Sequence, residues 1–405
     1  MEPRPAADPY PGAEFDRPFD RTGTGSIKWA RAGAAQDGVI ALGLADMDLP
    51  GPPAVAEALA ARAAHRAYGY TLCDPGGREL VSQWYRDRHD VAVDPDWVLL
   101  LPFSPRTALR LLLEAIAPTG PVLIPTPEWA GFAEICGAAG LPYQEIALSL
   151  EGDGYRLPTE EFARRRPGAI VLSNPHNPSG RVWTPSEIRA LAEAAADGGT
   201  TGPGGGGAGR AAGSGGVLLS DEVHGDLLHP DHGLRHPVAV VAAGDLARHT
   251  VTLNSVGKTF NTSGIPSCFA LVPDPALRSR LTGLMAGFGL WEGGLLEQTV
   301  QQAALQHGGP WLDALLRHLV GARERLTGVL GSAVVSRPQS SYLLWLDAGK
   351  LGLPAEGARV ALLERCGLEL SEGTGFGEAG IGQLRLNYAL PTPLLATVEA
   401  RLRAL

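Results

Sequence analysis

Short apolar runs alternate with helical periods through the middle of this chain, from about residue 97 to about residue 280. Runs at 97–103, 122–124, 169–173, 217–220 and 251–253 read as buried strands. Between them, 106–117, 129–139 and 184–196 carry helical spacing, the last opened by a Thr184-Pro-Ser-Glu187 capping box with proline at the first helical position. This alternation predicts an α/β fold, with a mostly parallel sheet covered by helices on both faces. After Pro275 the pattern changes. Helical stretches at 275–287, 294–307 and 310–330 precede short strands at 333–335 and 342–346. A helix near 355–365, strands around 368–370 and 384–386, and a terminal helix from Pro393 complete a smaller α+β unit.

Toward the other end, residues 1–14 are proline-rich and read as flexible. Residues 15–29 carry Phe15, Phe19 and Trp29 in polar surroundings, as an arm that packs onto something else would. A short strand and turn follow at 38–48, then a helix from 52 to 64 with proline at its start. The glycine run 198–216 cannot bury enough surface to offset its ordering entropy and reads as a flexible surface insertion. No Gly-Lys-Ser/Thr follows it, which argues against a phosphate-cradling loop.

Composition narrows the function classes. A chain of 405 residues can bury a substantial core, and a net charge of −9 without a Lys/Arg block argues against nucleic-acid or anionic-membrane partners. Four cysteines without CxxC spacing read as reduced thiols, not as a disulfide frame or metal site. No apolar stretch resembles a secretion signal or a membrane span. The expectation is a soluble, cytoplasmic protein.

Three predicted strands run into turns that carry chemistry. Ser173-Asn-Pro-His-Asn-Pro-Ser-Gly180 closes one, Ser220-Asp-Glu-Val-His224 the next, and Asn254-Ser-Val-Gly-Lys-Thr-Phe-Asn261 the third. Polar groups at strand ends are where open α/β sheets place their sites. Together Asn177, Asp221, Ser255, Lys258 and Arg385 make up what a pyridoxal 5′-phosphate site requires. A lysine amine bonds the aldehyde reversibly, and a carboxylate keeps the pyridine nitrogen protonated. An amide positions the ring, hydroxyls and backbone N–H groups hold the phosphate, and an arginine fork takes a substrate carboxylate.

These motifs, in this order, resemble fold-type I pyridoxal-phosphate enzymes of the class I/II aminotransferase group, and within it the cystathionine β-lyase (C–S lyase) branch. The resemblance runs from about Phe15 to the end and includes Ala45-Asp-Met-Asp48, Tyr68-Gly-Tyr70, Gly375-Phe-Gly377 and Leu384-Arg-Leu-Asn387. His224, where the wider group carries tyrosine, fits the lyase branch. The resemblance implies an aspartate-aminotransferase-like fold, with the arm and part of the small domain at 15–52, a large cofactor-binding domain at 53–284 and the rest of the small domain at 285–405. It implies Lys258 as the cofactor-bonding lysine and base, 37 residues after Asp221, which would pair with the pyridine nitrogen. Asn177 and His224 would sit by the ring, with Ser104, Ser255 and the backbone around Arg106 on the phosphate. Arg385, with Asn387 nearby, would take the substrate carboxylate. Tyr70 would reach the neighbouring subunit's site, implying a homodimer. Asp46 and Asp48 would shape a turn at the pocket mouth.

Two departures stand out. Trp129 occupies the place of the ring-stacking tyrosine, keeping a π-face but losing the phenol. Pro105 sits in the phosphate loop and removes one N–H donor. The reading is a lyase that eliminates thiol from a cysteine S-conjugate, leaving pyruvate and ammonia. Decarboxylation coupled to oxidative deamination of an S-substituted cysteine, transamination, and a regulatory protein with a structural cofactor stand beside it as alternatives.

Overall fold

The computed structural model describes residues 14–33, 38–152, 154–198 and 215–405. The flexible end expected at 1–14 and the insertion at 198–216 fall, but for their boundary residues, outside the described residues. At the centre is a seven-stranded sheet in the order Val98–Leu101, Cys268–Leu271, Thr250–Asn254, Val217–Asp221, Ala169–Ser173, Val122–Thr126, Tyr143–Ala147. Every pairing is parallel except the two made by Cys268–Leu271. That antiparallel strand and the largely exposed strand Tyr143–Ala147 are additions to the predicted set.

The two-residue period of the strands divides the core between faces. Val122, Ile124, Val171 and Leu219 point into a cluster with Leu109, Leu112, Ile135 and Met285 from the helices Pro105–Ile116, Gly131–Ala139 and Pro275–Gly287. Their neighbours Leu123, Ile170, Leu172 and Leu218 point the other way, against Ile188 and Leu191 of the helix Pro185–Gly198. That helix starts with the predicted capping box, Glu187 N–H donating to the Thr184 hydroxyl at 3.2 Å.

The C-terminal part has a three-stranded antiparallel sheet of Leu343–Asp347, Gln383–Asn387 and Ser371–Glu372. A separate parallel pair joins Ile40–Ala41 to Leu368–Glu369. The predicted strand at 333–335 does not form. Gly331 (φ +52°) turns the chain out of the helix Gly309–Leu330 into a 3₁₀ turn, and only Val334 reaches a bridge, with Leu346. The expected arm packs on its own chain: Phe15 is fully buried, with its ring 5.9 Å from that of Trp311.

The central strands are apolar on both sides, so side-chain loss there leaves a cavity with little room to collapse. Leu219→Ala is expected to lower stability by about 2–5 kcal/mol, read as a lower urea midpoint at fixed protein concentration.

Candidate active site

The parallel register sets Ser173 beside Asp221 and Asp221 beside Leu253, so the three motif-bearing turns leave the sheet at one edge. They line a cavity of about 290 Å³ that also takes in Ser104, Pro105, Arg106, Trp129 and Arg385.

Lys258 stands on a single helical turn, Val256–Thr259. Ser255 caps it, accepting from the Gly257 N–H at 3.0 Å and donating to the Ser267 carbonyl at 2.6 Å. The lysine Nζ donates to the Ala45 carbonyl at 2.5 Å. Burial and the neighbouring Arg385 charge lower its pKa to about 8, while Asp46 and Asp221 pull the other way. Asp221 is pushed up to about 7 by burial, offset by a hydrogen bond from the Val223 N–H and by Lys258.

His224 is buried in the next turn. Burial and the charges of Lys258 and Arg385 lower its pKa to about 3, so the ring is neutral, and its Nδ1 has no partner among the described residues. Arg385 reaches in from the strand Gln383–Asn387, donating to Asn177 Oδ1 and to the Gly43 carbonyl, each at 2.9 Å. Burial lowers its pKa to about 10, which leaves it charged at neutral pH, and its Nε is unpartnered. Phe376 lies under the guanidinium, 4.9 Å from carbon to ring centroid.

The carbonyls of a short strap, residues 43–48, gather these groups. Asn387 does not line the cavity. Its amide donates to the Leu44 and Asp46 carbonyls, both at 2.8 Å, and so holds the strap from behind. The buried Tyr342 hydroxyl donates to the Ala45 carbonyl at 3.2 Å. Asp46 and Asp48 anchor the strap to the arm. Arg21 pairs with both, at 2.7 and 3.1 Å, and the fully buried Lys28 pairs with Asp48 at 2.7 Å. Sequence reasoning missed the Gly43 and Ala45 carbonyls, Tyr342 and Phe376 as site groups. A tyrosine opening an apolar strand reads as core, and a carbonyl has no side-chain signature.

At the far end, Ser104 caps the helix Pro105–Ile116, accepting from the Thr107 N–H at 3.2 Å. Arg106 pairs with Glu134 at 2.6 Å, and its guanidinium carbon lies 5.8 Å from the centroid of the Trp129 ring. Ser263 and Ser267 also line this end and were not anticipated. Tyr70 is not brought into the cavity: it is 98% exposed, edge-on to Trp291 at 6.0 Å.

The side chains present fit pyridoxal phosphate. One buried amine, one buried carboxylate and a set of hydroxyls share a cavity with unpartnered nitrogens on His224 and Arg385. Buried polar atoms without partners carry a free-energy cost that a bound polar ligand offsets.

The family model for aminotransferase class I and II matches residues 37–200 and 208–401. Cystathionine beta-lyase PatB of Bacillus subtilis is 30% identical over 403 residues, covering 96% of this chain and 98% of that protein. Protein MalY of Escherichia coli is 27% identical over 393 residues, covering 93% of this chain and 95% of that protein. The crystal structure of cystalysin from Treponema denticola, which contains a pyridoxal 5′-phosphate cofactor, superposes with a TM-score of 0.86. The match covers 96% of this chain and 98% of that one, and at 23% identity it speaks for the fold.

The lowered pKa of Lys258 has a direct readout. In cofactor-free protein, its modification by an amine-acylating reagent is expected to rise as pH passes through about 8, because the neutral amine reacts. Arg385→Leu removes a charge that lowers this pKa and is expected to move the midpoint upward, as followed by peptide mass spectrometry.

Proposed function

The chain belongs to the class I and II aminotransferase family of pyridoxal-phosphate-dependent enzymes, and from that premise we propose a C–S lyase acting on a cysteine S-conjugate. It would cleave the Cβ–S bond and, with uptake of water, release thiol, pyruvate and ammonia. The observation that carries the reading is the Lys258 amine, lowered to a pKa of about 8 and held on the Ala45 carbonyl in one cavity with Asp221 and Arg385.

Bound pyridoxal phosphate supplies the electron sink that makes proton loss at Cα feasible. In this reading residues 53–284 form the cofactor-binding domain, 285–405 the small domain, and 15–52 the arm and part of the small domain. Asp221 would pair with the pyridine nitrogen, whose proton would draw the Asp221 pKa back down. Asn177 and the neutral His224 would hold the ring, with the Trp129 π-face available to it. Ser104, Ser255 and the backbone at Arg106 would hold the phosphate.

Arg385 orients the substrate through its carboxylate, with Asn387 fixing the strap that Arg385 also grips. Lys258, with its pKa lowered to about 8 so that a large share of the amine is neutral there, takes the Cα proton. A thiolate leaves readily, its conjugate acid having a pKa of about 8.5, so departure needs little acid assistance. The exposure of Tyr70, Leu72 and Trp291, which two distant segments bring into one surface patch, supports a homodimer in which Tyr70 reaches the partner's cavity. Trp129, which lacks the phenol that could hydrogen-bond or relay a proton, keeps one alternative open: decarboxylation coupled to oxidative deamination by oxygen.

Product analysis separates the readings. Purified enzyme given several cysteine S-conjugates, cystathionine among them, is expected to yield thiol and pyruvate in equal amounts, and Lys258→Ala to yield neither. Carbon dioxide release and oxygen uptake, with sulfur still bonded to carbon, would instead overturn the lyase reading and promote the oxidative route. Arg385→Leu removes a charged hydrogen-bond pair and is expected to lower kcat/KM about 10- to 100-fold, mostly through KM.

A further inference from the structure

We infer that the Arg106 side chain, seated on the Trp129 indole, is a phosphate clamp that restores the donor removed by Pro105. The helix Pro105–Ile116 would ordinarily offer the N–H groups of its first three residues to an anion. Here the first position is proline and has none. The third, Thr107, spends its N–H on the Ser104 hydroxyl. Of these three positions, Arg106 alone has an N–H with no partner among the described residues. So depleted, the helix start needs another donor to hold a phosphate dianion.

Arg106 lines the cavity beside Ser104, and its guanidinium is held by Trp129 and Glu134. Trp129 holds it from one side at 5.8 Å, by attraction between cation and ring face. Glu134 holds it from another at 2.6 Å, with side-chain exposures of 52% and 58%. An ion pair this exposed contributes little, so a phosphate can take the guanidinium over from the glutamate at small cost. The planar fork matches a phosphate's oxygens as well as a carboxylate's, and a phosphate dianion brings more charge to the guanidinium than a carboxylate does.

The seat itself is built. Trp129 stands edge-on to Phe132, with centroids 5.3 Å apart. Its six-membered ring passes over Gly131, where an added Cβ would lie 2.3 Å from two ring carbons and 2.5 Å from a third. Any side chain at 131 would therefore displace the indole. Pro105, Arg106, Trp129 and Gly131 thus form one coupled arrangement. The lost N–H and the tryptophan, two separate departures in the sequence, are halves of a single exchange of backbone donor for side-chain donor.

This inference rests on placing the phosphate at the 104–106 helix start, as proposed above. The test measures dissociation constants of the full-chain protein, resolved of cofactor, for pyridoxal phosphate and for pyridoxal, which lacks the phosphate. Arg106→Ala is expected to weaken pyridoxal phosphate about tenfold or more and to leave pyridoxal within about twofold. Restoring a backbone donor in the double variant Pro105→Ala/Arg106→Ala is expected to recover part of the loss. Equal weakening of both ligands would assign Arg106 a structural role and overturn the clamp. An unchanged affinity in Arg106→Ala, with Ser104→Ala weakened, would also overturn it but leave the phosphate placement standing. If neither variant loses affinity for pyridoxal phosphate, the placement itself is wrong.

Discussion

Everything at the site depends on the register of three adjacent parallel strands. Pairing Ser173 with Asp221, and Asp221 with Leu253, makes the strands end together. Their turns then enclose one volume instead of three separate surfaces. A one-residue slip would reverse every inward and outward side chain. The two apolar clusters on the sheet faces forbid it, because Leu218 and Leu219 belong to opposite clusters. Core packing thus sets the site's geometry before any polar group contributes.

Two of the cavity's basic side chains, Lys258 and Arg385, are close enough that each charge bears on the site's pKa values. Repulsion and desolvation work against keeping both protonated. Lys258 gives way and titrates near neutrality, whereas Arg385 stays charged because its intrinsic pKa is so much higher. The strap at 43–48 makes this arrangement tolerable by turning backbone carbonyls toward both cations. Its own position comes from the buried Lys28–Asp48 pair and from Arg21. The N-terminal arm, remote in sequence, therefore belongs to the electrostatics of the lysine.

The end proposed for the phosphate follows a different logic, with a proline at its helix start and a half-exposed guanidinium on an indole. Rigid burial governs the amine end, while exchangeable surface pairing governs this one. That contrast suits a site in which the reacting atoms must be fixed and the anchor need only be held.

Hydrophobic periods along the chain were enough to locate most of the strands and helices, because a buried strand or amphipathic helix leaves its period in neighbouring residues. They could not foresee the antiparallel Cys268–Leu271, whose direction depends on its partners, or the reduction of 333–335 to a single bridge. The motifs themselves picked out Asn177, Asp221, His224, Ser255 and Lys258, which line one cavity, since each lies within a few residues of a strand end. Arg385 joins them from a distant strand. Tertiary structure alone decided that Ala45 and Gly43 present carbonyls to the two cations and that Tyr342 shares one of them. It alone set Asn387 behind the strap and left Tyr70 exposed on a single chain. The reason is physical: side-chain type and spacing are written locally, whereas a carbonyl's direction, a charge's burial and a ring's neighbour exist only once distant segments pack.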